Sequence, residues 1–196
     1  PPVQLFDGTL MIPAYGGIGR STAWSSMLYR SSDGGATWSE MIVIARGRPQ
    51  TRDYQEPALM ELEPGHLLCL HRVDNDPIGP PRIFWQNESF DNGQNWCKPQ
   101  PTPIQSGACP RLLKLHDGRL LLTYGRRLEP FGIYAAISED QGTSWGNESW
   151  RVRRTPNGDQ GYTSSIELEP GRIFTTSYAQ NGRGVTGITG TFWDLP

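Results

Sequence analysis

Two charged residues, Glu56 and Arg72, flank one apolar segment of the sequence. The residues between them form two apolar runs around Pro64-Gly65, which fits the two central positions of a type II turn. A hairpin brings the start of its first strand beside the end of its second. We therefore expect the carboxylate and the guanidinium to meet at one edge of a sheet. Taken singly, each is equally well explained as a solvated charge at the end of a strand.

The same pattern, two apolar runs around a tight turn, occurs four times in the chain. Asp-Gly or Pro-Gly occupies each turn, and Asp-Gly between apolar runs is a strong hairpin signal. The turn glycines lie 57, 53 and 53 residues apart. This recurrence predicts a repeated supersecondary unit. The four turn glycines are Gly8, Gly65, Gly118 and Gly171.

A second repeated pattern, Ser-x-Asp-x-Gly-x-(Thr/Asn/Ser)-Trp, follows three of the four hairpins. We name it the Asp box. Its Ser and Asp side chains can accept backbone hydrogen bonds, and its Gly supplies a positive φ. We interpret the Asp boxes as turns between strands that carry no chemistry themselves. They cover residues 31–38, 89–96 and 138–145.

The order of these patterns predicts the fold. Each hairpin is followed by a third strand, which runs into an Asp box in the first three units, and a fourth strand follows each of these three boxes. Four antiparallel strands per unit, repeated radially, are typical of a β-propeller. The predicted fold class is therefore all-β, a β-propeller of four-stranded antiparallel blades. We expect one domain over 1–196, a fragment of a larger propeller, with blades at 1–48, 49–105, 106–157 and 158–196.

The composition gives little indication of other partners. The net charge is −2 and the basic residues form no run, so nucleic-acid binding is not predicted. No apolar run is long enough to span a bilayer. The cysteines have no paired framework, and we expect buried free thiols at Cys69, Cys97 and Cys109. The histidines lack metal-ligand spacing, and we expect surface or turn positions for His66, His71 and His116.

The Asp boxes in four-stranded blades resemble those of the sialidase superfamily, whose domain is a six-bladed propeller. Three further segments match in the family's order: 55–74, 121–127 and 159–168. The resemblance covers essentially the whole chain, as the last four of six blades. The family's first substrate-binding arginine and its aspartate acid/base have no match, and we expect both upstream of Pro1. Asp53 and Asp159 lie near the matched segments but do not match that aspartate.

The resemblance implies roles for four side chains. Tyr162 corresponds to the nucleophile, and Glu56 corresponds to the carboxylate that activates it. Arg72 and Arg127 correspond to two of the three arginines that bind the substrate carboxylate, with Arg126 as the alternative to Arg127. An ordinary rim tyrosine remains the alternative interpretation of Tyr162.

The resemblance also implies a reaction. Sialic acid carries a carboxylate on its anomeric carbon, which would repel a carboxylate nucleophile, so a neutral phenol is suited to the attack. A phenol has a pKa of about 10 and needs a base, while arginine forks pair bidentately with carboxylates. The expected activity is retaining exo-sialidase hydrolysis of sialylated or other acidic glycans. No cofactor or metal is expected, and an extracellular or periplasmic location is favoured.

Three alternatives remain open on the sequence alone. The chain could belong to a catalytically inactive Asp-box propeller that binds acidic glycans. It could belong to a hydrolase for another acidic sugar, because two arginines require only a carboxylate. It could also belong to a structural or interaction propeller in which these rim residues are incidental.

Overall fold

The computed structural model describes residues 1–74, 82–105, 107–146 and 149–196. Fifteen strands in this part of the chain form four antiparallel sheets. The predicted fold class, an all-β propeller of antiparallel blades, is confirmed. No helix long and apolar enough to cross a membrane occurs in these residues.

The chain divides into two compact units, Pro1–Thr102 and Pro103–Pro196. The first unit contains two four-stranded blades whose strands lie side by side in chain order. Glycines at φ of +86° and +81° close the first turn of each blade, a conformation that residues with a Cβ disfavour. The strands are β1 (Val3–Gln4), β2 (Leu10–Gly17), β3 (Trp24–Ser31) and β4 (Ile42–Ala45), then β5 (Gln55–Glu63), β6 (His66–Arg72), β7 (Ile83–Ser89) and β8 (Gln100–Gln105).

The second unit contains the other two blades. The third blade has four strands in chain order, and the fourth has three among the described residues. The strands are β9 (Arg111–Lys114), β10 (Leu120–Arg126), β11 (Gly132–Ser138) and β12 (Trp150–Arg154), then β13 (Gln160–Glu169), β14 (Arg172–Gln180) and β15 (Thr186–Asp194).

The second strands of the middle blades form the most buried part of each unit. Leu67–Leu70 of β6 and Leu120–Leu122 of β10 are fully buried, and both are continuous apolar runs. Continuous apolar runs are typical of strands covered on both faces. In contrast, β14 alternates between more and less buried positions, as expected of a strand covered on one face. The strand ends, where the sequence places its charged residues, are therefore held by a rigid core.

The Asp boxes lie between the third and fourth strands of their blades, as predicted. In each, the serine hydroxyl donates to the aspartate at 2.7–2.8 Å and accepts the N–H of the glycine at 2.7–2.9 Å. Hydrogen bonds from the residue four positions on lower the pKa of Asp33 and Asp91 to about 2, and lower that of Asp140. The polar groups of each Asp box are thus used largely within its own turn.

A glutamate near the end of a first strand joins neighbouring blades in each unit. In the first unit, the buried carboxylate of Glu61 accepts the N–H of Gly65 in its own turn at 3.0 Å and that of Phe6 in the preceding blade at 2.6 Å. In the second unit, Glu167 accepts the equivalent N–H groups at 2.8 and 2.6 Å. Both glutamates lie four residues before a turn glycine, so this repeated contact has a sequence signal that the turn analysis missed.

We expect Glu61→Ala to lower the free energy of unfolding by about 2 kcal/mol, because the N–H groups of Phe6 and Gly65 lose a charged acceptor. Denaturant unfolding followed by circular dichroism measures this change. Glu40→Ala, which removes an exposed carboxylate from the same unit, is the control and should change stability by less than about 0.5 kcal/mol. Equal stabilities of the two variants would contradict this role of Glu61.

The expectation that His71 lies at the surface or in a turn is wrong. His71 lies in β6 and is fully buried, because its position in the strand faces the interior of the first unit. Its Nε2 donates to Asn87 Oδ1 at 2.7 Å, and its Nδ1 lies 2.9 Å from Ser26 Oγ. The Asn87 amide nitrogen donates to two backbone carbonyls, which leaves Oδ1 as the acceptor and assigns the proton to Nε2.

The expectation of three buried thiols is correct for two of them. Cys69 and Cys109 are buried, whereas Cys97 is exposed. Cys97 follows the tryptophan of the second Asp box and lies outside the strands, where the core does not cover it. Burial also raises the pKa of the Cys69 thiol.

Candidate functional site

Glu56 and Arg72 meet at one edge of the second blade, as the hairpin predicted. Nη1 of Arg72 lies 3.1 Å from both carboxylate oxygens of Glu56. Glu56 is the second residue of β5, Arg72 is the last residue of β6, and the two strands are hydrogen-bonded neighbours. Both side chains are largely buried, so this ion pair is shielded from solvent.

Arg72 binds a second carboxylate that the sequence analysis did not single out. Its Nε and Nη2 donate to the two oxygens of Asp74, at 3.0 and 2.5 Å. Burial acts to lower the pKa of Arg72, but the hydrogen bonds to Asp74 and the charge of Glu56 outweigh burial and raise it. The guanidinium therefore stays charged and fixes the position of Glu56 from one side.

Tyr162 lies at the corresponding edge of the fourth blade, in the second unit. It is the third residue of β13, and its side chain is 47% exposed. Its ring lies 5.9 Å from that of Tyr178, which follows on the neighbouring strand β14. A phenol at this position is accessible from solvent while its backbone is held within a sheet.

Glu56 and Tyr162 occupy equivalent positions in their own blades. Each lies nine residues before a turn glycine, at a β-bulge between the first and second strands. Their φ angles are +47° and +49°, and they are the non-glycine residues with positive φ that lie within described strands. Such backbone costs on the order of 1–3 kcal/mol and is common at functional sites, where it aims a side chain.

Arg127 belongs to a small hydrogen-bonded cluster around Tyr178, whose ring lies beside that of Tyr162. Its Nη2 donates to the hydroxyl of Tyr178 at 2.6 Å, and its Nε donates to the carbonyl of Gln160 at 3.2 Å. The same Tyr178 hydroxyl donates to Asp159 Oδ1 at 3.0 Å. Partial burial and the hydrogen bond to Asp159 raise the pKa of Tyr178, although the charge of Arg127 opposes them.

The sequence analysis missed Tyr178, although a signal was present. Tyr178 lies seven residues after the turn glycine of its blade, and Arg72 lies seven after its own. Both positions pair with the residue directly before the bulged Glu56 or Tyr162. An alignment of the hairpins on their turn glycines would have placed Tyr178 in the site.

The two arginines that were considered for the third blade have different surroundings. Arg126 donates to the carbonyl of Glu129 at 3.2 Å and its guanidinium lies 5.4 Å from the ring of Tyr134, so it belongs to a neighbouring loop. Arg127 contacts the cluster around Tyr178. No group of three His, Cys, Asp or Glu side chains arranged for a metal ion occurs among the described residues.

Antiparallel blades, Asp-box turns and polar residues at bulged strand ends define an Asp-box β-propeller. The chain belongs to the BNR repeat-like domain family, whose model matches residues 1–175. No curated protein matches the chain by sequence.

Solved structures share this fold. A protein of unknown function from Dyadobacter fermentans DSM 18053 has 22% sequence identity and a TM-score of 0.83, over 100% of this chain and 52% of that one. The Hadza microbial sialidase Hz136 has 16% identity and a TM-score of 0.68, over 98% and 45%. The xylan β-1,4-xylosidase from Bacillus halodurans C-125 has 12% identity and a TM-score of 0.64, over 100% and 41%.

The chain therefore spans about half the length of the solved structures that it matches. At these identities the likeness establishes the fold, which is related to that of sialidases and other glycoside hydrolases.

Proposed function

We propose that this chain forms part of an exo-sialidase-like glycoside hydrolase that cleaves a terminal sialic acid with retention of configuration. Tyr162 is the nucleophile, and Glu56 is the base that activates it. Arg127 binds the substrate carboxylate, and Arg72 shares in that binding while it holds Glu56. The observation that carries the proposal is the pair of bulged, positive-φ positions that present a carboxylate in one blade and a phenol in another.

The side chains suit the chemistry of this substrate class. A neutral phenol approaches an anomeric carbon that bears a carboxylate without charge repulsion, and a carboxylate base can accept its proton. Arg127 offers a planar cation beside the phenol cluster, as expected for binding a carboxylate. The similarity to a protein named as a sialidase agrees with the proposal.

The experiment compares aryl glycosides as substrates for the full-length protein that carries this chain. We expect release of the aryl group from a sialoside and little release from the corresponding xyloside or arabinoside. A preference for a neutral pentoside would contradict the proposal. Release of the aryl group from an aryl uronide, and not from the sialoside, would favour a hydrolase for another acidic sugar, because Arg72 and Arg127 require only a carboxylate.

We expect Tyr178→Phe to raise KM for the sialoside about five- to tenfold with a smaller effect on kcat. The variant removes the hydroxyl that orients Arg127, but it retains the ring beside Tyr162. Steady-state kinetics measure the two constants separately. Tyr134→Phe is the matched control, because the Tyr134 hydroxyl donates to a loop carbonyl, that of Pro130, at 3.1 Å. Equal KM values for the two variants would contradict this positioning role.

A further inference from the structure

The three Asp boxes differ in how far they bury their tryptophan. Trp145 of the third box is buried, and Trp96 of the second is partly buried against the core of the first unit. Trp38 of the first box is 39% exposed. Its indole N–H donates to the carbonyl of Gly35 at 3.1 Å, and the Trp96 N–H donates to Gly93 in the same way at 3.1 Å. Trp38 therefore keeps the contact of its turn but leaves part of its ring uncovered.

Trp38 lines a groove within the first unit. The groove has a volume of about 600 Å³, which lies in the range of small-molecule sites. Arg30 and Ser32 line it from the first blade, and Gln94 lines it from the Asp box of the second blade. A concave surface that combines an aromatic ring with a few polar groups is typical of a ligand site.

Arg30 lies beside Trp38 in this groove. Its backbone N–H donates to Ser39 Oγ at 3.0 Å, and its carbonyl accepts the Ser39 N–H at 2.8 Å, so it adjoins the residue that follows the tryptophan. The Arg30 side chain is partly buried, and its Nε is buried without a hydrogen-bond partner among the described residues. The protein itself thus leaves hydrogen-bonding capacity of the guanidinium unused, and a planar fork of this kind suits an oxyanion.

Two carboxylates close to Arg30 are held within their own turns. Hydrogen bonds from Thr9 lower the pKa of Asp7, and the charge of Arg30 acts in the same direction. Asp7 Oδ1 accepts the Thr9 N–H at 2.9 Å. Asp33 accepts hydrogen bonds from the Ser31 and Thr37 hydroxyls inside the Asp box, at 2.7 and 2.6 Å. These contacts hold both carboxylates in place and leave Arg30 as the charged side chain that lines the groove.

The other two blades that carry an Asp box have different side chains at the position of Arg30. The residue directly before the serine of the box is Arg30 in the first blade, Glu88 in the second and Ile137 in the third. Glu88 Oε1 lies 3.6 Å from His66 Nε2, and the His66 ring stacks on Phe90 with their centroids 4.5 Å apart. An arginine with an unsatisfied Nε and an exposed tryptophan thus coincide in the first blade, although the repeat requires neither.

We propose that the groove between Arg30 and Trp38 binds an acidic sugar, whose carboxylate or sulfate group pairs with the guanidinium while its ring lies on the indole. A pyranose presents a face of C–H groups, which packs on the negative face of an aromatic ring. The Ser32 hydroxyl can donate to or accept from a sugar hydroxyl. Such a site attaches the protein to an acidic glycan without cleaving it, and it does not rest on the proposed function.

The test follows the tryptophan indole N–H signals of the full-length protein by NMR during titration with glucuronate, a sulfated N-acetylglucosamine and neutral N-acetylglucosamine. Trp38→Phe identifies the Trp38 signal by its loss. We expect an acidic sugar to shift this signal with a dissociation constant in the millimolar range. The neutral sugar should bind at least about tenfold more weakly, because it offers Arg30 no charged partner. The Trp96 signal, from the equivalent hydrogen bond, should not shift. The tighter of the two acidic sugars distinguishes a carboxylated from a sulfated glycan.

Arg30→Ile introduces the residue type that the third blade carries at this position, so the repeat accommodates it. We expect the variant to bind the preferred acidic sugar at least about tenfold more weakly and to lose its preference over the neutral sugar. Arg20→Ile, which removes an exposed arginine from the same unit, is the matched control and should bind as wild type does.

Three results would overturn the site. They are a Trp38 signal that neither acidic sugar shifts, a neutral sugar that binds as tightly as the acidic ones, and wild-type affinity in Arg30→Ile. The first two are measured on the wild-type protein and hold even where a variant does not fold. If the Trp38 signal responds as expected but the full-length protein hydrolyses no sialoside, the groove site stands and the sialidase proposal fails.

Discussion

Tyr162→Phe is expected to lower kcat/KM for an aryl sialoside at least about 1,000-fold in the full-length protein, because the variant lacks the oxygen that would bond to the anomeric carbon. The ring remains, so its contact with Tyr178 and the bulged backbone should persist. In the proposed mechanism, loss of the nucleophile removes the covalent route, while Arg127 still binds the substrate carboxylate. Steady-state hydrolysis and sialic acid binding, measured on the same preparation, distinguish lost chemistry from lost binding.

Tyr134→Phe also serves as the control here, since it removes from the same unit a phenol oxygen that donates to the carbonyl of Pro130 and whose ring stacks on Tyr124. We expect that variant to hydrolyse the sialoside within about threefold of wild type, as for substitutions outside the reacting groups. Hydrolysis by Tyr162→Phe at the wild-type rate would show that the nucleophile assignment is wrong. A raised KM with kcat unchanged would assign Tyr162 a binding role instead.

The first unit is expected to lose stability as the pH falls from about 6.5 to about 4. Burial lowers the pKa of His71 to about 4, although its hydrogen bond to Asn87 opposes the shift. Between these pH values the unfolded chain binds a proton at this histidine and the folded chain does not. The stabilisation is therefore complete above pH 6.5, and on the order of 3 kcal/mol is lost by pH 4.

Denaturant unfolding at a series of pH values measures this loss. His71→Gln removes the titrating group and should flatten the dependence between pH 6.5 and 4, whatever its effect on stability at neutral pH. A slope that survives unchanged in His71→Gln would contradict the assignment. NMR titration of the His71 ring gives the pKa directly.

The repeated turns made the fold predictable from sequence. Turn glycines such as Gly65 and Gly171 require a positive φ, and the Asp boxes hold their polar groups within one turn, so both leave local signals. The contact between Glu56 and Arg72 was predictable for the same reason, since the geometry of a hairpin follows from its turn. The residue types within a short segment were thus sufficient to predict the structure wherever it depends on that segment alone.

Contacts between strands that are distant in sequence were not predictable in this way. Tyr178 meets Arg127, which lies 51 residues earlier in the sequence, so an alignment of the hairpins gives its position in the blade but not its partner. The burial of His71 depends on packing from two blades, because its partner Ser26 lies 45 residues away. No local pattern distinguishes such a histidine from one in a turn.

The positive φ at Glu56 and Tyr162 was also absent from the sequence analysis. Neither residue type favours that backbone, so local propensity argues against it. The surrounding sheet imposes a β-bulge at each position. The bulge interrupts the alternation of side-chain directions along the strand. We infer that the two bulges aim the carboxylate and the phenol for the proposed reaction, in which Tyr162 is the nucleophile.

Covalent trapping tests that claim most directly. A sialic acid derivative with fluorine at C3 and a fluoride leaving group forms a glycosyl-enzyme quickly and releases it slowly, because C3 fluorine destabilises the oxocarbenium-like transition state of hydrolysis. Peptide mass spectrometry of the inactivated full-length protein should locate the added sugar on Tyr162. An adduct on Glu56 or on any other residue, or no adduct on a protein that hydrolyses sialosides, would contradict the account.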